Sequence, residues 1–131
     1  IGAQPTESLL QLCDTFDITH AVHFLGVRKD IPDLFQTMDA FLFPSIQEGL
    51  PVSVIEAQAA GVPILMSDTI TREVMVTPEL QTLSLNDSAA HWAQNLQAVA
   101  AIPRKDTLEE MRTSGWDIFD CAGKLAEYYK K

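Results

Sequence analysis

Positive charge is what this sequence has least of. Against 18 aspartates and glutamates it carries 9 lysines and arginines, a formal net charge of −9. So acidic a chain releases few counterions on a phosphate backbone, which opposes nucleic acid and anionic lipid as partners. The plain consequence of the acidity is solubility. Cysteine is also scarce. Cys13 and Cys121 lie far apart and form no metal or redox spacing, so a reducing, cytoplasmic setting is the simpler expectation. No apolar run approaches the length of a membrane crossing. No basic stretch followed by an apolar one marks a signal peptide. There is no internal repeat and no low-complexity linker. What remains is an ordinary soluble composition, 47% apolar and 21% charged over 131 residues, which suits a single domain. The chain opens at Ile1-Gly2 without a methionine, like the end of a preceding element.

Short apolar runs alternate with helical segments, the signal for parallel strands joined by crossover helices. Gln4-Pro5-Thr6-Glu7 opens a helix, with Leu9, Leu12, Cys13 and Phe16 at helical spacing. Ala21 to Leu25 reads as a strand ended by Gly26. Asp30 is placed to cap a helix with Pro32 just inside it. Ala40 to Phe43 reads as a strand covered on both faces. Pro51 opens a helix at its first position, and Gly61 ends it. Pro63 to Met66 is another buried strand. Ser67 to Glu79 reads as a loop with one short helix. Leu83 to Leu85 forms the last strand. Helices follow over Ser88 to Ala101 and Lys105 to Thr113. Ser114-Gly115-Trp116-Asp117 resembles a capping box for a final helix with Ile118, Ala122, Leu125 and Tyr129 on one stripe.

The chemistry is concentrated between Pro44 and Pro63. In an open parallel sheet, ligands sit outside the carboxyl ends of the strands. A helix beginning there presents unpaired N–H groups and the positive end of its dipole, which suits a phosphate. Gly49 allows close approach of backbone to ligand. Glu56 is the only charged residue between Leu50 and Leu65. A helical side chain leans toward the N-terminus, so this carboxylate can reach back to accept hydrogen bonds from paired ribose hydroxyls. Periodicity equally allows a surface glutamate.

Pro44-Ser45, Glu48-Gly49-Leu50-Pro51 and Glu56-Ala57-Gln58-Ala59-Ala60-Gly61-Val62-Pro63 together resemble the signature of the group 1 (family 4) glycosyltransferases. The resemblance extends over nearly the whole chain, from Ile1-Gly2 as a strand end to the closing helix. It implies a Rossmann-like α/β domain, the C-terminal nucleotide-sugar-binding half of a retaining GT-B enzyme. Glu48 is then the catalytic-site carboxylate, touching hydroxyls of the donor sugar. Backbone N–H groups from Gly49 through Leu50 to Val52 hold the distal phosphate, and Glu56 holds the ribose. Gly26, Val27 and Arg28 line the base. The implied donor is a UDP- or GDP-linked sugar, with no metal and no further cofactor. The implied acceptor is a glycan, a lipid-linked sugar or a small molecule.

Several family features would fall before Ile1. They are the Arg and Lys that clamp the diphosphate, the first strand with most of the second, and the acceptor domain. The resemblance therefore implies a partial domain, cut short or completed by other chains, and inactive alone. Exposed sheet edges would make it dimerise or aggregate. The alternatives are a non-catalytic module that completes its sheet with a partner, and a sugar-nucleotide epimerase, which the glutamate spacing fits poorly. His20, His23 and His91 read as structural or solvated. Arg72 and Glu73 lie in a loop where the family sometimes places a glutamate. Trp92, Trp116 and Tyr129 read as core.

Overall fold

The structure, a computed structural model, describes residues 2–130. It divides into two compact units, Ile1–Ile31 and Pro32–Lys131. The strand end expected at Ile1 falls outside the described residues.

In the first unit, α1 spans Glu7–Thr15. It begins where the Thr6 hydroxyl accepts the Leu9 N–H at 3.3 Å, a side-chain cap on an otherwise unpaired donor. Its expected apolar stripe is mostly bare: Cys13 is buried, whereas Leu9, Leu12 and Phe16 are exposed. The strand expected over 21–25 does not form among the described residues. A strand exists only through its ladder partner. Of the main-chain bonds here, Ala21 N–H to Ile18 carbonyl at 2.9 Å closes a turn, and Gly2 N–H to Gly26 carbonyl at 2.8 Å is a single long-range bond that makes no ladder. Gly26 does end the stretch, with a positive φ of 62°.

The second unit holds an open, three-stranded parallel sheet flanked by helices, the Rossmann-like arrangement the sequence implies. Helix α2 spans Ile31–Gln36, β1 Phe41–Phe43, α3 Val52–Ala59, β2 Ile64–Ser67 and β3 Leu80–Leu83. The order is β1-β2-β3, with Phe41 beside Ile64 and Ile64 beside Leu80. The central strand β2 is buried at every residue, as a strand covered on both faces should be. Val54 and Ala57 of α3, Val62, Val74 and Val99 are buried as well. Phe35 of α2 meets Phe41 edge-on, with ring centres 5.5 Å apart.

Three sequence expectations change here. First, β1 is not covered on both faces. Leu42 is 42% exposed and opens on an apolar hollow of about 410 Å³ that Leu85, Trp92 and Leu96 also line. Second, the last strand lies at Leu80–Leu83 rather than over 83–85, because those residues are in register with Ile64–Ser67. Ser84 already belongs to the turn, its carbonyl accepting the Trp92 indole N–H at 3.0 Å. Third, Asp30 provides no recorded cap for α2; its carboxylate accepts the Arg28 Nε–H at 2.8 Å instead.

After the sheet, α4 spans Ala89–Ala100, α5 Leu108–Thr113 and α6 Ile118–Tyr128. Ser88 caps α4 by accepting the His91 N–H at 3.2 Å. Helix α5 starts three residues later than Lys105 because the preceding side chains are engaged elsewhere. Arg104 donates to the Gln36 and Phe35 carbonyls, closing the end of α2, and Lys105 pairs with Glu79. Asp117, not Ser114, caps α6 by accepting the Phe119 N–H at 2.9 Å. No residue of α6 is buried. Its stripe, Tyr129 included, is bare rather than core, with Phe119 83% exposed. Among the described residues, no helix is long and apolar enough to cross a membrane.

Candidate functional site

The site grows out of the carboxyl end of β1. Pro44 has no N–H to extend the ladder, and the chain leaves the sheet as the loop 44–50. Two hydroxyls from the neighbouring strand catch it. Ser67, the buried last residue of β2, donates to the Ser45 carbonyl, and Thr69 lies 3.1 Å from the same oxygen. The Ser45 hydroxyl in turn donates to Glu48 Oε1 at 2.7 Å, a charge-assisted bond. Glu48 itself is exposed. Beside Gly49 the space is open: apart from Gly49 and its two chain neighbours, no protein atom lies within 4 Å of where a Cβ would stand.

Helix α3 begins immediately afterwards. Pro51 is its N-cap rather than its first helical residue, and no side chain caps the end. The first N–H groups of α3 therefore point outward with no helical acceptor, at the positive end of the dipole. Leu50 and Val52 are both exposed at this opening. Glu56, one turn in, is exposed as well, on the same stripe as Val52. The polar side chain that this helix buries is Gln58. Its amide donates to the Val54 and Val74 carbonyls at 3.2 and 2.6 Å. Its oxygen accepts the N–H groups of Val76 and Thr77 at 2.9 and 3.0 Å.

Glu48, Gly49, Leu50, Val52 and Glu56 thus come together along one loop and one helix start. Gly26, Val27 and Arg28 belong to the first unit. There, Arg28 and Asp30 form a two-pronged ion pair. The shared hydrogen bond, and then the opposite charge, raise the guanidinium above its ordinary value. Chiefly by that same bond, the carboxylate lies below its own. His20, His23 and His91 are exposed, as are Arg72 and Glu73 on a 3-10 turn at Arg72–Val74. Sequence reasoning passed over Ser67, Thr69 and Gln58. A polar residue in an apolar helix is a readable signal for Gln58, though a weaker one than the charge of Glu56 nearby. Ser67 gave only the weak signal of a serine ending an apolar strand.

Comparison with known proteins converges on one family. The model of the family described as glycosyl transferases group 1 matches residues 1–101. The chain is 38% identical over 112 residues to the glycosyltransferase EpsF of Bacillus subtilis (strain 168), covering 82% of this chain and 29% of that one. It is 56% identical over 48 residues to the N,N'-diacetylbacillosaminyl-diphospho-undecaprenol alpha-1,3-N-acetylgalactosaminyltransferase of Campylobacter jejuni, 37% of this chain and 13% of that one. It is 37% identical over 65 residues to the UDP-Gal:alpha-D-GlcNAc-diphosphoundecaprenol alpha-1,3-galactosyltransferase of Escherichia coli, 48% and 17% of the two chains. The chain thus spans less than a third of the length of each of these relatives. No solved structure matches it.

Proposed function

Because the chain belongs to the group 1 glycosyltransferases, we propose that it is the donor-binding half of a GT-B enzyme that transfers a glycosyl unit with retention of anomeric configuration. The single observation that carries this reading is the uncapped start of α3 beside Glu48, at the carboxyl end of a parallel strand. A diphosphate would rest on the N–H groups at Gly49 to Val52, where the helix dipole stabilises the leaving group. Glu56 would accept two hydrogen bonds from the ribose, and Glu48 would hold sugar hydroxyls. No metal is assigned, since the dipole and basic side chains would take over its electrostatic task. Two of the relatives are named for diphosphoundecaprenol-linked sugars and one for UDP-Gal. By extension, the acceptor class is a lipid-linked sugar and the donor a UDP sugar.

Titration calorimetry of the intact protein with UDP and GDP tests this. One of them should bind, and Glu56→Ala should weaken it at least tenfold. Failure of both nucleotides to bind, or indifference to Glu56→Ala, overturns the assignment. Glu48→Ala should lower transfer strongly while leaving the melting temperature nearly unchanged.

The open face at Leu42 favours a second reading, a module whose sheet is completed by a partner. That reading predicts self-association of the chain in sedimentation, with no nucleotide affinity.

A further inference from the structure

We propose that Ser67 is a positioning residue for Glu48, acting through Ser45. This rests on the reading of Glu48 as the carboxylate that meets the donor sugar.

The ladder between β1 and β2 ends at Phe43 and Met66. One residue further on, Ser67 is 0% exposed and uses its hydroxyl, not its backbone, to hold the Ser45 carbonyl. Thr69 reinforces that hold. Its single hydroxyl hydrogen has two acceptors in reach, the Ser45 carbonyl and Ser67 Oγ, each at 3.1 Å. Ser45 is therefore fixed at its main chain by β2. Its side chain is free to serve Glu48, and does so at 2.7 Å. The alternative acceptor for that hydroxyl, the Gln47 carbonyl, lies at 3.5 Å and competes weakly.

The result is a relay from the rigid central strand to an exposed carboxylate on a loop. A loop glutamate left to itself would sample many rotamers, and ordering it on the ligand would weaken binding. The relay orders it beforehand. A charged side chain that must meet sugar hydroxyls in one geometry gains from being held by a buried strand.

The test uses the intact protein and three variants, Ser67→Ala, Ser67→Thr and Ser45→Ala. Ser45→Ala removes only the last link, so a folding defect at the buried position does not decide the outcome. The first readout is hydrogen–deuterium exchange by mass spectrometry over residues 44–50. Exchange should accelerate in Ser67→Ala and stay near wild type in Ser67→Thr, with β2 peptides unchanged. The second is calorimetry with UDP against a UDP sugar. Ser67→Ala and Ser45→Ala should reduce the extra affinity that the sugar contributes by about three- to tenfold, the range of one hydrogen bond. Affinity for UDP alone should fall less than affinity for the UDP sugar.

Equal loss for both ligands, or unchanged exchange in the loop, overturns the proposal and leaves Ser67 a structural residue. If Glu48→Ala does not reduce the sugar increment, the reading of Glu48 fails instead, and the exchange experiment still decides the relay.

Discussion

Gly61 answers two demands at once. Its φ of 69° lies in the left-handed region, and a Cβ there would run into the Lys105 carbonyl oxygen. Only glycine satisfies both. Gly61→Ala is expected to cost roughly 2–4 kcal/mol in urea unfolding, strain and overpacking combined. Gln58 is the other residue on which much depends. Gln58→Leu would leave the Val76 and Thr77 N–H groups without their acceptor. An expected loss of about 2–4 kcal/mol follows from unpaired buried donors, again measurable by urea unfolding. At Asp30 the expectation concerns pH. The carboxylate is held below its ordinary 3.8, so any stability it lends is present above that value and is lost as pH falls through the lowered one. The pair is exposed, so the effect on folding is small. An NMR titration should place the Asp30 midpoint below 3.8, and Arg28→Ala should return it upward.

At the scale of elements, legibility followed locality. The loop and helix between Pro44 and Gly61 could be read because proline, glycine and glutamate act within a few residues of where they stand. The buried strand at Ile64–Ser67 declared itself by composition. The stretch 21–25 did not form a strand, since β-rich composition cannot supply the neighbour that a ladder needs. The shift of the last strand to Leu80–Leu83 has the same origin: register is a property of two segments together. Helix α5 begins late because Arg104 and Lys105 are tied to Phe35, Gln36 and Glu79, partners far off in sequence. Within the candidate site, Glu48 and the α3 start were legible. The hydroxyls that fasten the loop were not, because they reach it from another strand.

At the scale of the whole molecule, the acidic balance read from composition is joined by an apolar surface that composition could not reveal. Among the described residues β1 is an edge of the sheet, and Leu42 within it opens on the hollow shared with Trp92 and Leu96. Exposed edges invite pairing with another chain. Sedimentation should therefore find self-association of the isolated chain that Leu42→Lys diminishes, without loss of the helical circular dichroism signal. A monomer insensitive to this change would show that the edge is innocuous.

The Gln58 amide has a mechanical consequence. It clasps both the second turn of α3 and the peptide groups at 74, 76 and 77. The helix start and the segment just after Arg72 and Glu73 are therefore coupled like two ends of a short lever. Separating the two would have to stretch or break hydrogen bonds of this one amide.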